Sequence, residues 1–459
     1  MTAPSDPLQV LRSRSYAGLL VLAAGVGVPI SAAAYGFLAL VDRLQRWLFT
    51  DLPAVIGLHG EPLWWPLPLL AVAGLLVGLT IRYLPGRGGH SPDDGFHPGG
   101  APSPIELPGV LLAALATLAL GAVLGPEAPL IALGAGLAII VPLLARRDVS
   151  PTTTAVVGAA GSFAAISTLL GSPLLGAFLL MEASGLGGAM LGMVLVPGLL
   201  AAGIGSLIFL GLDAWTGLGT FSLAVPNLPP VERLDVAEFG WALGIGLAAA
   251  FVGTAIRRLA LFLRPHVERR LVLLMPVVGL VIAGLAIAYA AATGKGSSDV
   301  LFSGQGALGP LIANSAGYST GALVLLIVCK GLAYGASLSC FRGGPVFPAM
   351  FLGAAGGIAL SHLPGLEMVP AVGMGIGAMC AVLLRLPLTS VLLATLLLLS
   401  DGLAIMPVVI VAVVVAYVVS ARLMPVPATV QVTTPARAEA RPAERSPGPP
   451  APAPPGGGR

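Results

Sequence analysis

Apolar runs separated by short polar or Gly/Pro-rich breaks recur from residue 17 to 423. They fall at about 17–42, 64–84, 105–124, 127–144, 152–170, 173–184, 187–212, 235–262, 271–293, 318–338, 340–360, 369–385, 387–400 and 403–423. Many are shorter than the roughly 20 residues a helix needs to cross a hydrocarbon core. Lipid cannot satisfy an exposed backbone, so short segments of this kind must be tilted or partial helices buried by protein. The pattern predicts an all-α, polytopic membrane protein built as a bundle of tilted and interrupted helices.

Polar and charged positions set the ends of the runs. Residues 1–16 are polar, and Arg12 and Arg14 favour a cytoplasmic N-terminus. The first run is long enough to span and stay, unlike a cleaved signal peptide. Trp47, Trp64 and Trp65 sit near span ends, as interfacial aromatics do. The run from 235 is expected to end at Arg257-Arg258, opening a cytoplasmic basic cluster with Arg264, Arg269 and Arg270. Gly304-Gln305-Gly306 reads as a loop, and Arg146, Arg147 and Asp148 as a return to the surface. The expected division is an N-terminal segment 1–16, a first membrane repeat 17–212, a connector 213–234 containing Pro226, Pro229 and Pro230, and a second repeat 235–423. A disordered Pro/Ala-rich tail, 424–459, follows.

Composition narrows the function classes. Of 459 residues 56% are apolar and 9% charged, and the net charge of +3 is too small and dispersed for a nucleic-acid partner. Lys295 and Lys330 are the two lysines. Cys329, Cys340 and Cys380 lack paired spacing and read as small core hydrophobes. The loop Arg87–His97 carries His90, His97, Asp93 and Asp94, but the spacing fits no standard ligand pattern, so a solvated loop is expected and no metal or other cofactor. No intramembrane Ser/His or Asp/Asp pair and no phosphate-cradling loop with Lys suggests an enzyme.

One motif recurs in both halves. Gly125-Pro126-Glu127-Ala128-Pro129 followed by Leu133-Gly134-Ala135 reads G-P-x-x-P-x-x-x-L-G-A. Gly344-Pro345-Val346-Phe347-Pro348 followed by Leu352-Gly353-Ala354 reads the same. Gly171-Ser172-Pro173-Leu174 and Arg385-Leu386-Pro387-Leu388 give a second echo at a similar separation. Matching interrupted helices in two halves point to a transporter with its site at mid-membrane. A helix starting there presents unpaired N–H groups and a positive dipole end of about half a charge, which attract anions. Glu127 is an anion held covalently at such an end, and an intramembrane carboxylate is functional by default.

These residues resemble the CLC family of chloride channels and chloride/proton antiporters. Residues 125–129 resemble its G-[RK]-E-G-P motif and residues 343–348 its G-G-x-F-x-P motif, with supporting likeness at 164–176, 329–333 and 386–389. The resemblance implies an inverted-repeat bundle in a bacterial plasma membrane, a homodimer in lipid, and an anion path, chloride first, through each subunit. It implies that Glu127 is the gate, leaving the outer anion site when protonated or displaced. It places anion contacts at Gly89, Ser91, Gly125, Pro126, Ala128, Gly344, Val346 and Phe347. Departures accompany it. Gly89 stands at the family's anion-contacting Ser, with Ser91 a substitute only if the loop shifts. Pro345 has no N–H, and the family's late Tyr has no match, since Tyr417 comes too early. The proton-transfer Glu aligns with Ala183, leaving Glu182 as a stand-in on a possible proton path. Passive channel and proton-coupled exchanger both stand, with a carrier for a different anion or other small solute on the same scaffold as the alternative.

Overall fold

The computed structural model describes residues 12–58, 62–94, 101–144, 151–185, 188–223, 236–398 and 402–424. The first half supplies α1 (Arg14–Arg46), α2 (Pro66–Tyr83), α3 (Leu107–Ala119), α4 (Glu127–Leu144), α5 (Pro151–Ala165), α6 (Pro173–Ser184) and α7 (Gly188–Thr216). The second supplies α8 (Val236–Arg269), α9 (Leu271–Thr293), α10 (Gln305–Ala313), α11 (Thr320–Cys340), α12 (Val346–Ser361), α13 (Met368–Leu384), α14 (Pro387–Leu397) and α15 (Gly402–Leu423). Local chemistry sets the starts. Ser13, Ser172 and Ser319 accept the N–H of Tyr16, Leu174 and Ala322 as N-caps. Pro66, Pro173 and Pro387 occupy first-turn positions, where no N–H is missed.

Among the described residues seven helices are long and apolar enough to cross a membrane, as a multi-pass membrane protein requires. The short ones are shielded by protein. Every residue of α13 from Val369 to Leu384 is buried, as is most of α12. By contrast α9 buries Met275, Gly279, Ile282 and Ala286 and exposes Leu273, Val277, Leu280 and Val281. One face of α9 is therefore lined against protein, and the other suits an apolar medium.

The echoed motifs meet in space. Gly125 and Gly344 form an antiparallel bridge, N–H to carbonyl in both directions at 2.7 and 2.6 Å. Val123 N–H donates to Ser337 Oγ at 3.0 Å, and in return Arg342 N–H donates to Thr117 Oγ1 at 3.2 Å. Each donor lies two residues before its bridge glycine, and each hydroxyl belongs to a helix of the other half. Reciprocal bonds of this kind are what a local two-fold between the repeats produces. The L-G-A segments repeat the pattern: Gly134 packs on the Gly161 backbone, and Gly353 on that of Gly375. Any Cβ there would collide with the facing helix, so glycine permits the close approach. At the second echo Gly171 (φ 86°) and Arg385 (φ 59°) both turn left-handed two residues before the helix-starting proline.

Several boundaries differ from the sequence pattern. The helix expected over 105–124 stops at Ala119, and Gly121 (φ 101°) turns the chain before Gly125. The helix expected over 152–170 stops at Ala165, and the segment expected from 340 begins at Val346. The 235–262 helix does not end at the arginines but runs to Arg269, because Arg257 is buried and Arg264 is paired within the fold. The loop expected at 304–306 opens α10 instead, with Gly304 (φ 84°) packed against Phe351. His97, Arg146, Arg147, Asp148, Pro226, Pro229, Pro230 and the tail beyond 424 lie outside the described residues.

Candidate functional site

Glu127 is the first residue of α4 and is fully buried. Its carboxylate reaches across the bridge to α12, where Oε1 accepts the Phe347 N–H at 2.9 Å. The residue opening one interrupted helix thus caps the other. In the second repeat Val346 stands at the place of Glu127, so two equivalent N-termini share one acid. A charge-assisted bond of this type contributes about 1.5–3 kcal/mol, and the α12 dipole adds to it. Oε2 is buried with no hydrogen-bond partner among the described groups, and no cation forms an ion pair with it there. The carboxylate is held by backbone dipoles, as a bound anion would be.

The expected anion contacts divide. Phe347 offers its N–H, and that N–H is occupied by Glu127. The N–H groups of Gly125 and Gly344 are donated to each other's carbonyls rather than left for an anion. What these glycines supply is space, since a side chain at either would strike the Glu127 carboxylate. Pro126 has no N–H, and its carbonyl starts the α4 ladder by accepting from Leu130 N at 3.0 Å. Val346 is buried at the start of α12. Ser91 is not free to replace a hydroxyl contact, because its Oγ donates to Asp93 Oδ1 at 2.5 Å.

A cavity of about 1090 Å³ lies beside the bridge. Gly89, Ser91, Ala128, Pro129, Gly343 and Pro345 line it together. This brings the loop before α3 to the starts of α4 and α12, as a site built on both repeats needs. Glu127 is not among the lining residues. Arg87 and His90 stand exposed on the wall. Among the described residues no cluster of His, Cys, Asp or Glu could hold a metal. Asp93 instead takes Arg264 Nη1 at 3.0 Å on both carboxylate oxygens.

Glu182 sits on α6 away from Glu127's role. Its two oxygens accept Leu388 N–H at 2.9 Å, Thr389 N–H at 2.7 Å and Thr389 Oγ1 at 2.6 Å, capping α14. Tyr417 lies on α15, partly exposed, and does not line the cavity.

Three residues near the site carry weight that the motif pattern did not assign. Tyr334 is fully buried on α11, and its hydroxyl donates to the Pro345 carbonyl at 2.7 Å, fixing the approach to α12. Lys330 is fully buried, its Nζ among the carbonyls of Asp299, Val300, Leu301 and Phe302 at 3.0–3.3 Å and 4.4 Å from the centre of the Phe351 ring. Phe302 N–H in turn bonds the Gly121 carbonyl, tying that loop to the approach to α4. Arg342 lines the cavity itself. An ionisable residue inside an apolar run was the available signal for both Lys330 and Arg342.

A sequence profile of the family described as "Voltage gated chloride channel" matches residues 73–421. The chain belongs to this family. Among its relatives is the "Putative ion-transport protein YfeO" of Escherichia coli (strain SMS-3-5), 30% identical over 380 residues, covering 81% of this chain and 84% of the relative. The Escherichia fergusonii protein of the same name matches with the same identity and coverage. The fold is shared with a slow cyanobacterial Cl⁻/H⁺ antiporter (TM-score 0.69, 19% identity, 89% of this chain and 95% of that one). It is shared also with a CLC-type fluoride/proton antiporter (TM-score 0.66, 19% identity, 88% and 95%). Family membership makes this chain an anion transporter, and its inverted-repeat bundle is the family's fold.

Proposed function

We propose that the chain carries a small inorganic monovalent anion, chloride first, across a bacterial plasma membrane, with the Glu127 carboxylate as its gate. The observation that carries this reading is the seat of that carboxylate. It occupies the N-terminal end of α12, bonded to Phe347 N–H, with a second oxygen unpartnered among the described groups. An anion arriving at that place competes with Glu127 for the same N–H group, and protonation of Glu127 removes the charge that holds it there. The halides named for the two antiporters of shared fold, chloride and fluoride, suit a site of backbone dipoles. The chain acts without enzymatic chemistry and without a nucleic-acid partner, and works as a homodimer in lipid.

The test is efflux from vesicles containing the purified chain, with chloride and external pH recorded together. Efflux that drives protons uphill identifies an exchanger, and efflux without proton movement a channel. Absence of any chloride or fluoride flux overturns the proposal.

A further inference from the structure

Arg342 does something its symmetry mate does not. The backbone task at this position, an N–H donated to a hydroxyl of the opposite half, is performed by Val123 in the first repeat. Val123 is fully buried and apolar, so the fold does not require a cation there. In the second repeat the same position carries a guanidinium on the cavity wall. Its Nη1 rests on the Cys340 and Phe341 carbonyls at 3.3 and 3.2 Å, at the C-terminal end of α11. Nε is buried and makes no hydrogen bond among the described groups. The nearby acid Asp93 is taken by Arg264, with 3.0 Å to both oxygens.

The motif positions on this wall offer few donors. Gly89 has no side chain, Pro345 has no N–H, and the Ser91 hydroxyl is spent on Asp93. The Gly125 and Gly344 N–H groups are spent on each other. We infer that the Arg342 guanidinium is an anion-binding site in the cavity beside the Glu127 gate, holding a monovalent anion by direct pairing. The inference rests on the anion-transport reading above. It adds a full positive charge to a wall that also carries the exposed side chains of Arg87 and His90. Because a guanidinium edge presents parallel N–H groups, it matches a planar oxyanion such as nitrate two-pronged, whereas a halide takes it as a point charge.

The experiment measures chloride and nitrate binding to the purified full chain by titration calorimetry, alongside vesicle efflux, for the unaltered chain, Arg342→Met, Arg342→Lys and Glu127→Gln. Arg342→Met is expected to weaken binding of both anions tenfold or more. Arg342→Lys should keep chloride within about threefold and lose more of nitrate, because it keeps the charge and removes the fork. Should Arg342→Met fail to fold, the chloride-against-nitrate split of Arg342→Lys decides alone. Equal binding of both anions by the unaltered and Arg342 variants, with flux intact in the unaltered chain, overturns this site and leaves the transport reading standing. No flux and no binding in the unaltered chain or in Glu127→Gln overturns both.

Discussion

At the scale of single residues, the chemistry concentrates on a carboxylate that pairs with no cation among the described residues. Glu127→Gln keeps the shape of the side chain and removes its charge, so anion flux should lose its dependence on external pH. In the unaltered chain flux should rise as pH falls, because the protonated carboxyl no longer competes for the Phe347 N–H. Efflux recorded over a pH series checks both, and a pH response that survives the substitution excludes Glu127 as the gate. Gly344→Ala should displace the carboxylate, since the added Cβ meets it. The expected result is faster, pH-insensitive efflux. Glu127 was legible in the sequence because an acid between two prolines in apolar surroundings is expensive to keep. Tyr334 was not, since its role depends on which carbonyl it meets after folding.

At the scale of elements, helix ends hold the fold together across the repeats. Glu182→Ala removes three hydrogen bonds from the start of α14 and should cost about 2 kcal/mol, read as a lower unfolding temperature. Anion efflux by Glu182→Gln is expected to stay within about twofold, which distinguishes a cap from a transport residue. Lys330→Met leaves four carbonyls without their cation and should destabilise the chain by several kcal/mol. Thermal unfolding in detergent measures it. The starts of α4, α6, α9 and α14 were readable from proline and from the return to apolar sequence. Helix ends at Ala119 and Ala165 were not, because the residues after them stay apolar and buried while the backbone turns. Hydrophobicity reports burial, and there it no longer reports helix.

For the whole molecule, the two repeats are cross-bonded at their centres. The sequence echo anticipated that matching segments would exist; that they would bond to each other, and so use up the glycine N–H groups, required the folded chain. Cleaving the backbone within 224–235 is therefore expected to leave residues 1–223 and 236–459 associated. Copurification of the second fragment through a tag on the first, from detergent solution, checks it. Separation of the fragments would show that the central bonds and caps are too weak to hold the halves.

The bridge between Gly125 and Gly344 also bears on speed. Two paired backbone bonds and two flanking hydroxyl bonds clamp the approaches to α4 and α12 to one another. Opening by rocking one half against the other would have to break them together. A single carboxylate swinging about its own side-chain torsions breaks one. Rotamer changes belong to the fast end of protein motion, far from the slow collective rearrangements of hinged bodies. Turnover here should therefore have a shallow temperature dependence, governed by the arrival and departure of ions and protons rather than by the deformation of the scaffold.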